Sequence, residues 1–323
     1  MVSRHCAYCL IPLEADKVKM CGGCKKRSYC SRDCQVNDWG AVGQHHKQWC
    51  KEQICEEDID WEIRETVDGK GLGVFSKRLL PKHTRIMVDR GYRKIEDVPL
   101  PFINALMPHE GTLQEKWDLN SFYREESGDN LGIRLARVNH DCRNNATNKF
   151  ITDLNAFILI AIRDIQEGEE ISIQYHFYND ISTSKGYRDA REQVIREKWS
   201  VNCLESCICR DKVLAERIQK AHELDSMIPT MPMKTEEQIK RVLKNVDLLL
   251  KESEQISNGI MALSRTYYDG FQIAILHKKT YPLHKMYIQK YLESCEIVDS
   301  KLSSTYQQAL KYYQNPSIHR NHF

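Results

Sequence analysis

Cys6-Ala7-Tyr8-Cys9, Cys21-Gly22-Gly23-Cys24, Cys30-Ser31-Arg32-Asp33-Cys34 and His46-Lys47-Gln48-Trp49-Cys50 place seven thiols and one imidazole in one short N-terminal stretch. Two tetrahedral zinc sites need such a set, because each ion takes four ligands and each short pair bites one face of the tetrahedron. A disulfide framework is the competing reading. It fails on context: Met1-Val2-Ser3-Arg4 has no apolar run of a secretory signal, so a reducing compartment and metal-bound thiolates are expected.

Outward from this stretch, 323 residues at 41% hydrophobic and 28% charged allow a small zinc module plus one or two larger domains. No apolar run approaches the roughly 20 residues that span a bilayer. Cys55 and Cys295 are left as buried or free thiols without a role. A net charge of +2 gives no electrostatic reason to expect a nucleic-acid binder. Residues 1-51 carry nine Lys or Arg against four Asp or Glu. Two zinc ions and seven thiolates reduce that formal +5 to about +2, so Lys25-Lys26-Arg27 reads as a solvated turn rather than a DNA clamp.

Beyond the cysteines, Gln35 to Cys50 reads as a short helix that Gly40 and Gly43 weaken. Glu52 to Asp60, with five acidic residues, reads as a connector. Short β-type runs follow: Trp61 to Arg64, a turn at Asp68-Gly69-Lys70-Gly71-Leu72-Gly73, Val74-Phe75, and the stretch Pro81 to Ile95. Residues 96-137 look irregular and partly helical around Phe102 to Met107. Ala156 to Ile162 and Ile171 to Tyr175 read as two strands joined by a polar turn containing Gly168. From Asp211 the apolar spacing turns helical, as at Ile239, Val242, Val246 and Leu249, with Pro229, Pro232 and Pro282 marking breaks. The expected end is an antiparallel helical layer covering the β part.

Tyr29-Cys30-Ser31-Arg32-Asp33-Cys34-Gln35, Asp38-Trp39 and His46-Lys47-Gln48-Trp49-Cys50 closely resemble the MYND zinc finger. That resemblance implies interleaved pairing, with Cys6, Cys9, Cys30 and Cys34 on one ion and Cys21, Cys24, His46 and Cys50 on the other. His45 is the alternative imidazole; the spacing before Cys50 favours His46.

Asn139-His140-Asp141-Cys142 followed by Asn145, and Gly168-Glu169-Glu170-Ile171-Ser172-Ile173-Gln174-Tyr175, come after the glycine turn and before a cysteine cluster. In this order, over about residues 61-210, they resemble the SET domain of protein lysine methyltransferases. The glycine turn alone would be an ordinary hairpin. The resemblance implies S-adenosylmethionine bound by Lys70, Gly71, Leu72, Asn139, His140, Tyr175 and Val201, with Tyr175 as the catalytic tyrosine. Trp199 occupies a position where relatives carry a channel aromatic, and the resemblance implies that Trp199 and Tyr175 belong to the substrate channel. A hydrogen-bonded core histidine and a core tryptophan are the plainer readings of His140 and Trp199. Cys203, Cys207 and Cys209 resemble the post-SET cluster, whose fourth zinc ligand would be Cys142, although relatives usually space it C-x-C-x2-C. Asp141 and Asn144 stand where relatives carry serine and proline, and the finger precedes the SET domain instead of interrupting it.

The expected fold is α+β: a zinc-stabilised MYND module (1-51), a β-rich SET domain (60-180), a post-SET cysteine region (181-211) and a helical C-terminal domain (212-323). The expected activity is S-adenosylmethionine-dependent protein lysine N-methylation of a histone or another protein, in the cytoplasm or nucleus, with architectural zinc. The alternative is a non-catalytic scaffold whose finger recruits proline-rich partners, for example in transcriptional repression. Neither reading involves direct nucleic-acid or membrane binding.

Overall fold

Ala156–Ala161 is six apolar residues in a row, each buried, and a strand hidden on both faces needs no polar alternation. It is β10, near one edge of a five-stranded sheet ordered β6-β7-β5-β10-β9, formed by Phe122–Arg124 (β6), Gly128–Gly132 (β7), Arg85–Tyr92 (β5) and Ala146–Ile151 (β9). A four-stranded sheet, β3-β4-β11-β8, comprises Trp61–Glu65 (β3), Leu72–Ser76 (β4), Glu170–Ile173 (β11) and Asn139–His140 (β8). Every pairing in these sheets is antiparallel except β11 with β8.

In this computed structural model the described residues are 6–8, 13, 16, 18–40, 46–50, 57, 59–67, 71–107, 109–124, 128–152, 155–175, 193, 195–201, 211–256, 259–299, 301 and 303–323. The chain divides into two compact units, Met1–Ile173 and Gln174–Phe323, with the boundary inside the span 60-180 expected for the SET domain.

In the first unit the finger holds a two-stranded ribbon, Lys19–Met20 (β1) with Ser28–Tyr29 (β2), and helices Arg32–Trp39 (α1) and His46–Trp49 (α2). The helix expected from Gln35 begins earlier, because the Ser31 hydroxyl caps the Cys34 N–H, and α1 stops at Gly40. The irregular reading of 96-137 also needs correction. Leu100–Asn104 (α3), Leu113–Asn120 (α4), β6 and β7 lie there, around a core of Tyr92, Val98, Ile103, Leu106, Trp117, Leu131 and Ile133. Thr112 and Glu115 form a reciprocal cap on α4, a signature present in the sequence.

In the second unit Lys212–Met227 (α5), Glu236–Glu254 (α6), Gly259–Ala274 (α7), His284–Val298 (α8) and Ser304–Gln314 (α9) pack each on the next. Their shared core includes Ile239, Val242, Val246 and Leu249, the residues whose spacing marks the helix. Among the described residues no helix is long and apolar enough to cross a membrane.

Candidate functional site

Cys21, Cys24, His46 and Cys50 converge, and so do Cys6, Cys30 and Cys34; within each group the ligand atoms lie within 4.8 Å of one another. A zinc tetrahedron with bonds of about 2.3 Å to sulfur and 2.05 Å to nitrogen has edges of about 3.5–3.8 Å. Here Cys21 Sγ is 3.6 Å from Cys50 Sγ, Cys24 Sγ is 3.5 Å from His46 Nε2, and Cys30 Sγ is 3.4 Å from Cys34 Sγ. The donor sets fit zinc. Burial, reinforced by the Arg27 guanidinium, holds the His46 imidazole down to about 4, so it is neutral and able to ligate at physiological pH. Cys9 and His45 lie outside the described residues.

Behind these ligands Asp38 is fully buried, accepts the Tyr29 hydroxyl proton at 2.7 Å and faces Arg27 Nε at 3.1 Å. Arg27 is therefore buried and paired, correcting the solvated-turn reading, while Lys25 and Lys26 are exposed.

In the sheet β3-β4-β11-β8, two distant segments are laced together. Ser172 pairs with Asn139 and Ile173 with His140, and Asp141 N–H donates to Ile173 O. Asn145 Nδ2 donates to Glu170 O at 2.7 Å and Glu169 Oε1 at 3.0 Å, while its Oδ1 accepts Ser172 N–H at 2.9 Å. Burial would raise the Glu169 pKa; Arg163, Asn145 and the Gln166 N–H outweigh it and hold the carboxyl below its ordinary value. Asn139 Nδ2 reaches Glu170 Oε1 at 2.8 Å and Leu72 O at 3.2 Å, tying the glycine turn to the same point.

Two glycines of that turn answer different demands. Gly71 has φ +86°, and an added Cβ would meet nothing within 4 Å, so the main chain is open to a ligand there. At Gly73 a Cβ would lie 2.7 Å from Glu170 Oε1 and 3.1 Å from Asn139 Nδ2. The open main chain at Gly71, beside the fixed Asn139 amide, suits the approach of an amino-acid-like cofactor end.

In the second unit the Tyr175 and Trp199 rings meet with centroids 5.2 Å apart at 54°. Lys198 Nζ lies 4.7 Å from the Trp199 ring centre. Tyr175 follows the end of β11 in a bend instead of closing the strand expected at 171-175.

The MYND finger family matches residues 6–50, and the SET domain family matches residues 71–176. The chain carries a MYND finger followed by a SET domain. Histone-lysine N-methyltransferase set5 of Schizosaccharomyces pombe is 22% identical over 280 residues, covering 78% of this chain and 83% of that relative. A Plasmodium falciparum crystal structure, described provisionally as a histone methyltransferase, is 21% identical over 36% of this chain and 93% of its own, with a TM-score of 0.26. So low a score carries no weight.

Among the expected site residues, Gly71, Leu72, Asn139 and His140 share the first unit, and Tyr175, Trp199 and Val201 the second. His140 is buried with Nε2 3.4 Å from Cys142 Sγ, which accords with the core-histidine reading of its ring. Lys70, Cys203, Cys207 and Cys209 lie outside the described residues. Reading the sequence alone assigned no role to Glu170, Asn145, Arg27 or Asp38. Asn145 and Glu170 lie within the quoted SET segments and Asp38 within the finger motif, so membership of those motifs was the available signal; Arg27 carried none, because its pairing depends on burial.

Proposed function

We propose that this protein is an S-adenosylmethionine-dependent protein lysine N-methyltransferase, with the MYND finger as its partner-recruiting module. The broad assignment to protein-lysine methyltransferases rests on the SET family match, supported by the set5 relative. The observation that carries the finer reading is Asn139, whose amide ties the open turn at Gly71-Leu72 to Glu170. Bound there, the cofactor would supply an electrophilic methyl group on a sulfonium.

The chain's own residues would position and desolvate. The Gly71-Leu72 backbone, Asn139 and the His140 main chain would hold the cofactor, with Lys70 and Val201 completing its surroundings. A free lysine, with pKa about 10.4, is mostly protonated at neutral pH, whereas a dry aromatic channel favours the neutral amine needed as nucleophile. Tyr175 and Trp199 would be the walls of that channel. With the cofactor bound, the neutral amine would take the methyl group as the S–C bond broke, and the methylated amine would release its extra proton to solvent. In-line displacement rewards orientation above all, and the Tyr175 hydroxyl would orient the amine.

Zinc would be structural: two ions in the finger and a third on Cys142, Cys203, Cys207 and Cys209. The exposed Val36 and Trp39 on α1 would suit a proline-rich partner. Histone or other protein substrates would be met in the nucleus or cytoplasm. Incubation with labelled S-adenosylmethionine and a proteome extract, followed by mass spectrometry, tests the activity: methyl-lysine is expected with wild type and not with Tyr175→Phe. No label with wild-type protein would favour the scaffold.

A further inference from the structure

We infer that Glu57, in the segment joining the finger to the SET domain, is a positioning residue for Asn139 and His140, acting through the Arg134–Asp89 pair. The inference rests on the methyltransferase reading for its consequence, since that reading makes Asn139 and His140 cofactor residues. Asp89 is buried on β5, and its Oδ2 accepts the backbone N–H groups of Arg134 at 2.7 Å and Leu135 at 3.0 Å. One carboxylate oxygen therefore fixes the start of the single-turn helix Leu135–Arg137, which ends at Val138. Asn139 is next, so this turn sets how the chain enters β8.

The turn is tightly seated. A Cβ at Gly132 would lie 2.9 Å from Asp89 Oδ2 and 3.1 Å from Leu135 Cβ. Arg134 folds its guanidinium between two acids, with Nε 2.8 Å from Glu57 Oε2 and Nη1 3.7 Å from Asp89 Oδ1. The second distance is too long for a hydrogen bond. Glu57 thus makes the short contact that places the guanidinium over Asp89, from 77 positions away. A main-chain bridge to Trp61 at the start of β3 steadies Glu57 itself. Within the span read as a connector, Glu57 is therefore a structural member.

Arg90, next along β5, has its guanidinium carbon 4.8 Å from the Tyr92 ring centre and 6.0 Å from that of Tyr8 in the finger. Removing the finger would disturb β5 as well, so a point variant is the cleaner test.

Glu57→Gln in the full chain keeps shape and removes the charge. Amide exchange of residues 133–141 in cofactor-free protein should quicken by about tenfold, and S-adenosylmethionine Kd should rise by about tenfold, a loss larger in Kd than in kcat. Arg134→Lys keeps the charge but loses the guanidinium fork, and should do the same. Glu62→Gln, at the half-exposed pair with Lys77, should change neither quantity. A lowered melting temperature with exchange at 133–141 unchanged, or with Kd unchanged, would overturn the inference. Failure of wild-type protein to bind the cofactor would instead sink the methyltransferase reading, leaving the exchange measurement to decide the positioning role.

Discussion

The Tyr175 and Trp199 rings lie 5.2 Å apart at an inclination of 54°, a tilted aromatic contact between a bend after β11 and the helical residues 195–199. Such a pair keeps its packing when one hydroxyl is removed. Tyr175→Phe should therefore leave the fold and cofactor Kd close to wild type while lowering kcat by on the order of 100-fold, as expected for a group acting in the transition state. Steady-state kinetics beside calorimetry decides it; wild-type kcat would move the catalytic role elsewhere.

Gly73 and Gly71 should respond differently to alanine. At Gly73 the methyl group would press on Glu170 Oε1, Thr66 Cγ2 and Asn139 Nδ2, so Asn139 must move and cofactor affinity should fall by about tenfold or more. In the cofactor-free chain Gly71→Ala meets only the strain of φ +86°, about 1 kcal/mol of stability, and its methyl group should cost cofactor affinity by meeting the cofactor itself without displacing Asn139. Chemical denaturation and cofactor titration of both variants separate the two effects.

Elemental analysis of the purified chain should return about three zinc ions. His46→Ala should remove about one and weaken the finger, because His46 Nε2 also lies 3.3 Å from Cys21 Sγ, at the centre of its cluster. Cys207→Ser should remove a different one. Two ions in wild type, unchanged by Cys207→Ser, would eliminate the post-SET site.

His319 gives the helical unit an acid-sensitive point. It is buried against Phe271 and Tyr312, with Nε2 3.3 Å from both the Tyr268 hydroxyl and Gln272 Nε2, and burial followed by the Arg320 charge lowers its pKa. The unfolded chain then takes up this proton first. Stability should be full above the ordinary imidazole value of about 6.5 and fall as pH drops below it. Amide protection factors in α7 and α9, which already divide out the base-catalysed intrinsic rate, should fall between pH 7 and 5.5, and His319→Gln should flatten that slope. An equal slope in the variant would assign it to other groups.

The interior of the helical unit was legible because amphipathic spacing survives any arrangement of neighbours: Val242 and Val246 are fully buried, as their period requires. Strand β9 was not, since Thr147 and Asn148 are polar yet buried, and polarity conceals a strand covered on both faces. The same limit explains Glu57. An acidic residue in a charged connector reads as solvated until Arg134 is seen against it.

By itself the sequence determined the chemistry available: eight ligands at zinc spacing, glycines at a turn, and the Asn139-His140 and Glu169-to-Tyr175 segments. Those follow from local rules, since short ligand spacing and positive φ are properties of a few consecutive residues. Tertiary structure decided which distant groups meet. The parallel pairing of Asn139 with Ser172, the reach of Asn139 to Leu72 and Glu170, and the seating of Arg134 between Glu57 and Asp89 all depend on chain crossings. Hydrogen bonds and ion pairs act over a few ångströms in space and are indifferent to separation along the chain, so only folding could bring these partners together.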